Sequence, residues 1–332
     1  MKIRSIRKIL AAAVLASVLT WAPQAALTAA HEQPAHGLIL TGEAKQAYIT
    51  EKMQTFFHPA PDAAPPAFEL PNGWTIAHER INGVTVDRIT PAEKRSDRVL
   101  LQLHGGGYIM ALTDIRRSLA VRQAVLMNAG DIYCVDYRTA PAHLYPAALE
   151  DAVHAYEGIL ARGITAENII LVGDSAGGNL ALGLALYLKD HGIAQPGVIA
   201  LASPWTTMEH RAGTSRTTKA AADQVLGIGT PLYGPVQTGD YSGGAFPRSD
   251  PRLSPIYADL SGLPPILIQT GGNELFLTEN EELEQKAAAD GVTVTLTVYP
   301  GMPHDFALLF PELEDSVQSL QEIADFVNRY MD

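Results

Sequence analysis

The stretch Gly173-Asp174-Ser175-Ala176-Gly177 has the form G-x-S-x-G, and a serine so flanked is a candidate nucleophile. Three fixed residues in five say little alone, so the setting decides. The stretch follows an apolar, β-branched run at 169–172 and precedes a helix-like run that begins near Gly178. A serine at such a strand-to-helix turn has strained backbone angles, and its glycines keep side chains out of neighbouring elements. Its hydroxyl stands clear at a helix N-terminus, where backbone N–H groups favour developing negative charge.

A serine hydroxyl needs a base, an acid to orient that base, and donors for the charge it creates. His104-Gly105-Gly106-Gly107 follows the run at 99–103, and three consecutive glycines let the backbone turn its N–H groups toward a ligand. Acyl transfer passes through a tetrahedral oxyanion, and the donors assigned to it are the N–H groups of Gly105, Gly106 and Ala176. His104 would hold the loop by hydrogen bonding. A phosphate-binding loop is excluded, since no Lys-Ser/Thr pair follows the glycines. Of the ten histidines, His304 in Pro300-Gly301-Met302-Pro303-His304 lies just beyond the run at 292–298 and is the candidate base. Glu274 is the acidic residue immediately after the run at 266–269, and it is the candidate acid. Glu279, Glu281 and Glu282 fall on the following helix and are expected to face solvent. Asp305 is the rival acid, but next to His304 it is expected to point away from the ring. The chain order is nucleophile, acid, histidine.

These groups need elements to hold them. Residues 99–103, 132–135, 169–172, 198–201, 266–269 and 292–298 are short apolar or β-branched runs. Helix-length stretches at 116–128, 146–161, 179–191 and 278–289 separate most of them, and another at 312–330 closes the chain. Continuously apolar strands alternating with helices predict an α/β fold with a mostly parallel sheet covered on both faces. Upstream, strand-like stretches at 74–81 and 84–89 meet at Asn82-Gly83, a hairpin signal. Every chemical motif then sits where a strand ends, the rim on which open α/β sheets present ligand-handling groups.

Two segments break this rhythm. Residues 31–73 carry a helical pattern around 43–55 and then Pro59, Pro61, Pro65, Pro66 and Pro71, too dense for a helix. The interval 204–265 is rich in Gly, Pro, Ser and Thr, with weak helical character near 217–226. An interval that long inside a domain is usually functional. The expectation is one catalytic domain over 31–332, with cap segments at about 31–73 and 205–250.

Residues 1–30 read as a cleavable secretory signal: basic Lys2, Arg4, Arg7 and Lys8, an apolar run from Ile9 to Trp21, then small residues ending at Ala30. The apolar run is short for a membrane span. Cleavage after Ala30 predicts an exported, periplasmic or secreted protein.

The 332 residues carry 24 Lys+Arg against 36 Asp+Glu, a formal charge of −12, and loss of the four basic signal residues takes it to −16. Such a surface repels phosphate backbones and anionic lipid, which argues against nucleic-acid partners and stable membrane association. The single cysteine, Cys134, excludes an internal disulfide and a multi-thiolate metal site, and it reads as a small buried hydrophobe.

Together these residues resemble the hormone-sensitive-lipase-like family of α/β-hydrolases, the bacterial carboxylesterases called family IV. The likeness runs from about Arg98 to the C-terminus. His104-Gly105-Gly106-Gly107 is similar to the family's oxyanion motif, and Gly173-Asp174-Ser175-Ala176-Gly177-Gly178 to its nucleophile motif. Asp136-Tyr137-Arg138, Ser203-Pro204-Trp205 and Asp250-Pro251-Arg252-Leu253-Ser254-Pro255 also resemble family landmarks. Thr139 and Ala142 depart from the family's usual Leu and Glu. Many relatives have Asp at the position of Glu274, and a subgroup with an Asp-Glu pair uses the Glu; here the pair reads Asn273-Glu274.

The resemblance implies the α/β-hydrolase fold and a serine carboxylesterase acting on short-to-medium acyl esters through an acyl-enzyme, without metal or organic cofactor. It implies Ser175, Glu274 and His304 as the catalytic group, with Tyr108 and Trp205 as substrate-binding walls. Within the fold, the alternatives are a dedicated deacetylase or a lactone or antibiotic esterase. A non-catalytic ligand-binding homologue is disfavoured because all three catalytic residues are present. Some relatives pair through the edge strand near 292–298, which leaves a homodimer open.

Overall fold

The computed structural model describes residues 36–63, 67–209 and 214–331, so the expected signal at 1–30 lies outside the described residues. Eight strands form one sheet in the order β1-β2-β4-β3-β5-β6-β7-β8. They are β1 (Thr75–Ile81), β2 (Val84–Thr90), β3 (Val99–Leu103), β4 (Ile132–Asp136), β5 (Ile169–Asp174), β6 (Val198–Ala202), β7 (Ile266–Gly271) and β8 (Val294–Tyr299). The helices are α1 (Gly42–Phe57), α2 (Asp114–Leu126), α3 (Ala147–Leu160), α4 (Ala176–Asp190), α5 (Ser215–Thr218), α6 (Tyr233–Thr238), α7 (Leu277–Ala289), α8 (Phe306–Leu309) and α9 (Glu314–Met331). β1 and β2 pair antiparallel around Asn82 and Gly83, which both take positive φ, and β2 joins β4 antiparallel. All pairings from β4 through β8 are parallel.

Alternation along the buried strands explains why a continuous apolar run is needed. Leu101 and Leu103 enter one core while Leu100 enters another; Ile169 and Leu171 divide from Ile170 and Val172 in the same way. The first core is closed by α3, α4 and α7, the second by α2 and α9. Each fully buried aliphatic side chain contributes roughly 1.5–3 kcal/mol, so the central strands are held from both faces.

Of the segments outside the alternation, α1 and the interval after β6 pack onto the first core, while Phe68 and Leu70 lie against the second. α1 turns Ile49, Met53, Phe56 and Phe57 inward, a single helical face. In the interval after β6, the expected helical stretch at 217–226 shrinks to α5 and a series of turns. Asp223 accounts for this: its Oδ1 accepts the N–H groups of Val225 and Leu226 at 3.0 and 3.1 Å, a local alternative to helix. The interval still buries Val225, Leu226, Leu232 and Tyr241. Among the described residues, no helix is long and apolar enough to cross a membrane.

Candidate active site

Ser175 stands between β5 and α4 with φ 51° and ψ −118°, a conformation that costs a non-glycine residue about 1–3 kcal/mol. Neighbouring backbone holds it there. Its N–H donates to the Ala202 carbonyl at 2.9 Å, and its own carbonyl accepts the Trp205 N–H at 2.9 Å. The flanking glycines are steric necessities. A Cβ at Gly173 would lie 2.3 Å from the Gly177 carbonyl oxygen, and one at Gly177 would lie 2.0 Å from that of Leu103.

The loop after β8 brings His304 Nε2 to 2.9 Å from Ser175 Oγ. Both residues are buried, and the His304 ring packs edge-on against Phe276. The loop after β7 brings Glu274 to the opposite ring nitrogen, with Oε2 at 3.8 Å from Nδ1. That separation exceeds a hydrogen bond, and Nδ1 has no other partner among the described residues. The carboxylate is instead held by Ser203 Oγ at 2.6 Å, by Thr270 Oγ1 and by Asn280 Nδ2 at 3.2 Å. Burial pushes the Glu274 carboxyl up to about 8, against the pull of the Ser203 and Thr270 hydroxyls. Burial, assisted by the Arg116 charge, pulls the His304 imidazole down to about 3, so it is neutral around pH 7.

Asp305 corrects an expectation. Its carboxylate does not point away: Oδ2 lies 3.4 Å from His304 Nε2, the nitrogen that meets Ser175. The reason is its backbone. Asp305 takes a left-handed φ of 50°, which folds the side chain back over the preceding ring. Burial raises its pKa well above the usual carboxylate range, with Asp174 adding to the shift and Arg116 opposing it.

The glycine loop requires a second correction. The Gly105 N–H does not face the serine; it donates to Asp174 Oδ1 at 2.9 Å. Gly106 and Gly107 take φ of 110° and 62°, and their N–H groups, with that of Ala176, have no acceptor among the described residues. The free donors are therefore Gly106, Gly107 and Ala176. His104 is fully buried, stacked on Tyr137, and its Nδ1 sits 2.8 Å from the Gly105 carbonyl, so it braces the loop.

Tyr108 is not an open wall of the site. It is 1% exposed, stacks on Tyr241, and donates its hydroxyl to Asn179 Oδ1 at 2.6 Å. The Trp205 side chain, also buried, lies parallel to the Phe276 ring with centroids 5.9 Å apart, so its contact with the nucleophile is through its backbone N–H. Glu279 does not face solvent either: it is buried in an ion pair with Arg216, Oε1 to Nη2 at 3.0 Å, tying α5 to α7.

The sequence assigns no role to Asp174, Arg116 or Gln46, and marks Ser203 only as part of a family landmark. Asp174 lay in plain view as the variable position of the serine motif. Its Oδ2 pairs with the buried Arg116 Nε at 3.3 Å. Gln46 on α1 donates to the Gly301 carbonyl at 2.8 Å and accepts from Gln224 at 2.9 Å and Asn273 at 3.4 Å. One amide thus joins α1, the interval after β6 and the loops that carry Glu274 and His304.

Comparison with known proteins places this geometry among relatives. A family model described as the alpha/beta hydrolase fold matches residues 100–308. The chain is 35% identical to LipR of Mycobacterium tuberculosis, over 75% of this chain and 80% of LipR. It is 33% identical to an acetyl-hydrolase of Streptomyces hygroscopicus, over 73% of this chain and 79% of the relative. Among solved structures, an esterase from the bacterial hormone-sensitive lipase family superposes with a TM-score of 0.73 at 30% identity, covering 96% of this chain and 98% of that one.

Proposed function

Because the chain belongs to the α/β-hydrolase fold family, in its hormone-sensitive-lipase-like branch, we propose that Ser175 and His304 hydrolyse carboxylic esters through an acyl-enzyme. The observation that carries this reading is the 2.9 Å contact between Ser175 Oγ and His304 Nε2 beside three unpartnered N–H groups. His304 takes the serine proton as Oγ bonds to the ester carbon. The oxyanion accepts from Gly106, Gly107 and Ala176, and each such donor is worth about 2.7–4 kcal/mol when lost. His304 then protonates the leaving alcohol, and water activated by the same nitrogen releases the acid. Glu274 holds the ring from the Nδ1 side once its Oε2 closes to hydrogen-bonding distance.

The substrates proposed are short-to-medium acyl esters. Residues 31–73 and 205–250 act as a cap; where described, they are pinned by side chains such as Gln46 and Arg216. The likeness to an acetyl-hydrolase agrees with the short end of that range. Export is proposed from residues 1–30, and N-terminal sequencing of secreted material beginning at His31 tests it. β8 is a free edge of the sheet where a second copy would add, and light scattering reads that state directly.

The deciding assay is a p-nitrophenyl ester series from acetate to laurate, comparing wild type with Ser175→Ala. Turnover that peaks at short chains and vanishes in the variant is expected. Absence of serine-dependent turnover at every chain length overturns the reading.

A further inference from the structure

Asp305 is a buried carboxyl that the steps above do not use. Its Oδ2 lies 3.4 Å from His304 Nε2, and its Oδ1 has no hydrogen-bond partner among the described residues. It touches the nitrogen that faces Ser175, not Nδ1, so it is placed beside the transferring proton and not behind the ring. Its position is built in. The Asp305 N–H donates to Ser203 Oγ at 3.1 Å, and Ser203 in turn donates to Glu274, so one hydroxyl ties the Asp305 backbone to the carboxylate on the other side of the imidazole. A left-handed backbone at a non-glycine residue is kept only where its surroundings enforce it.

Three oxygens pass across Nε2 in one turnover: the serine hydroxyl, the leaving alcohol and the incoming water. Serine and alcohol each carry one O–H, which Nε2 handles. Water carries two, and the second needs an acceptor in a site this dry. Resting on the esterase reading, we propose that Asp305 accepts the second O–H of the water that attacks the acyl-enzyme. Water's first proton moves to Nε2 as its oxygen bonds to the acyl carbon, while the second O–H stays intact and donates to Asp305. The carbon–Oγ bond then breaks, the Nε2 proton returns to Oγ, and the carboxylic acid leaves. A carboxyl that carries a proton still accepts through its carbonyl oxygen, so the role survives in either protonation state.

The asymmetry between the two half-reactions is the test. Single-turnover and steady-state kinetics on p-nitrophenyl butyrate separate acylation from deacylation in wild type, Asp305→Ala and Asp305→Asn. Asp305→Ala keeps Cβ but removes the acceptor. Its acylation rate is expected to stay within about threefold of wild type, while deacylation slows at least about tenfold, the scale of one lost hydrogen bond in the transition state. Added methanol, with a single O–H, should then capture a larger share of the acyl group as methyl butyrate. Asp305→Asn retains a carbonyl oxygen and should recover most of the deacylation rate. Equal losses in both steps, or no change in either, overturn this proposal alone; a wild type without a Ser175-dependent acylation step overturns the esterase reading with it.

Discussion

Asp174 Oδ1 accepts the N–H of Gly105 at 2.9 Å, so the residue before the nucleophile fixes the loop that supplies the oxyanion donors. The same carboxylate meets the Arg116 guanidinium through Oδ2, with both side chains almost fully buried. Asp174→Ala would free the glycine loop and strand a buried charge, a loss of about 3–5 kcal/mol for breaking such a pair. A lower melting temperature is expected, together with a fall in kcat of about 100-fold, the scale of one misplaced oxyanion donor. Asp174→Asn keeps an acceptor for Gly105 and should retain more of the rate. Thermal unfolding and ester kinetics on both variants check this.

The pH profile should be displaced to the alkaline side. His304 is pulled down to about 3, so it is already a free base over the working range. Glu274 is pushed up to about 8, and only its ionised form offsets the charge that the imidazole gains on taking the serine proton. Activity should therefore rise as the pH climbs through about 8, and Glu274→Gln should flatten that rise. Stability runs the other way. A carboxyl raised from 4.5 to about 8 by folding contributes stability that is fully present below 4.5 and is lost as the pH rises through about 8. Parallel kcat/KM and melting profiles from pH 5 to 10 would show the two trends crossing; matched trends would contradict this account.

Gln46→Ala tests whether α1 belongs to the catalytic apparatus. The substitution removes three hydrogen bonds at once, among them those to Gly301 and Asn273, each next to a loop that bears a catalytic side chain. At about 0.5–1.5 kcal/mol per bond, the melting temperature should fall by a few degrees. A kcat reduced about three- to tenfold with KM nearly unchanged is expected if the clamp positions the two loops, since about 1 kcal/mol corresponds to fivefold.

Two glycines offer a matched pair. Gly177→Ala drives a Cβ to 2.0 Å from the Leu103 carbonyl oxygen, where only backbone can yield, so overpacking should cost about 1–3 kcal/mol or more and shift Ser175. Gly183→Ala, on the same helix, meets nothing closer than Leu149 Cδ1 at 3.9 Å and should stabilise by about 0.5–1 kcal/mol. Labelling by a fluorophosphonate probe, read beside thermal unfolding, should fail or slow in the first and proceed normally in the second.

The strands were legible because a doubly buried strand is apolar at nearly every position, with a polar side chain such as Gln102 or Gln269 admitted only where a buried carbonyl accepts its amide. The runs at 99–103, 169–172 and 266–269 are such strands, and the structure places them within two residues of those limits. The positions of Ser175, Glu274 and His304 followed from strand ends for the same reason. Side-chain direction did not follow. Asp305 turns back to the imidazole because of one left-handed residue, and Glu279 turns inward because Arg216, far away in the chain, is buried against it. Residue type showed none of this.

What the sequence determined by itself is the order of elements and the identity of the groups at the sheet's rim, because local steric demand and hydrophobic period act between near neighbours. What only the tertiary structure decided is which N–H groups remain free for an oxyanion, and which carboxyl lies on which side of His304. Those choices hang on contacts such as Gly105 to Asp174, separated by 69 residues, and on Ser203 bridging Glu274 and Asp305. A hydrogen bond depends on direction within a fraction of an ångström, and that is set only when distant segments have packed.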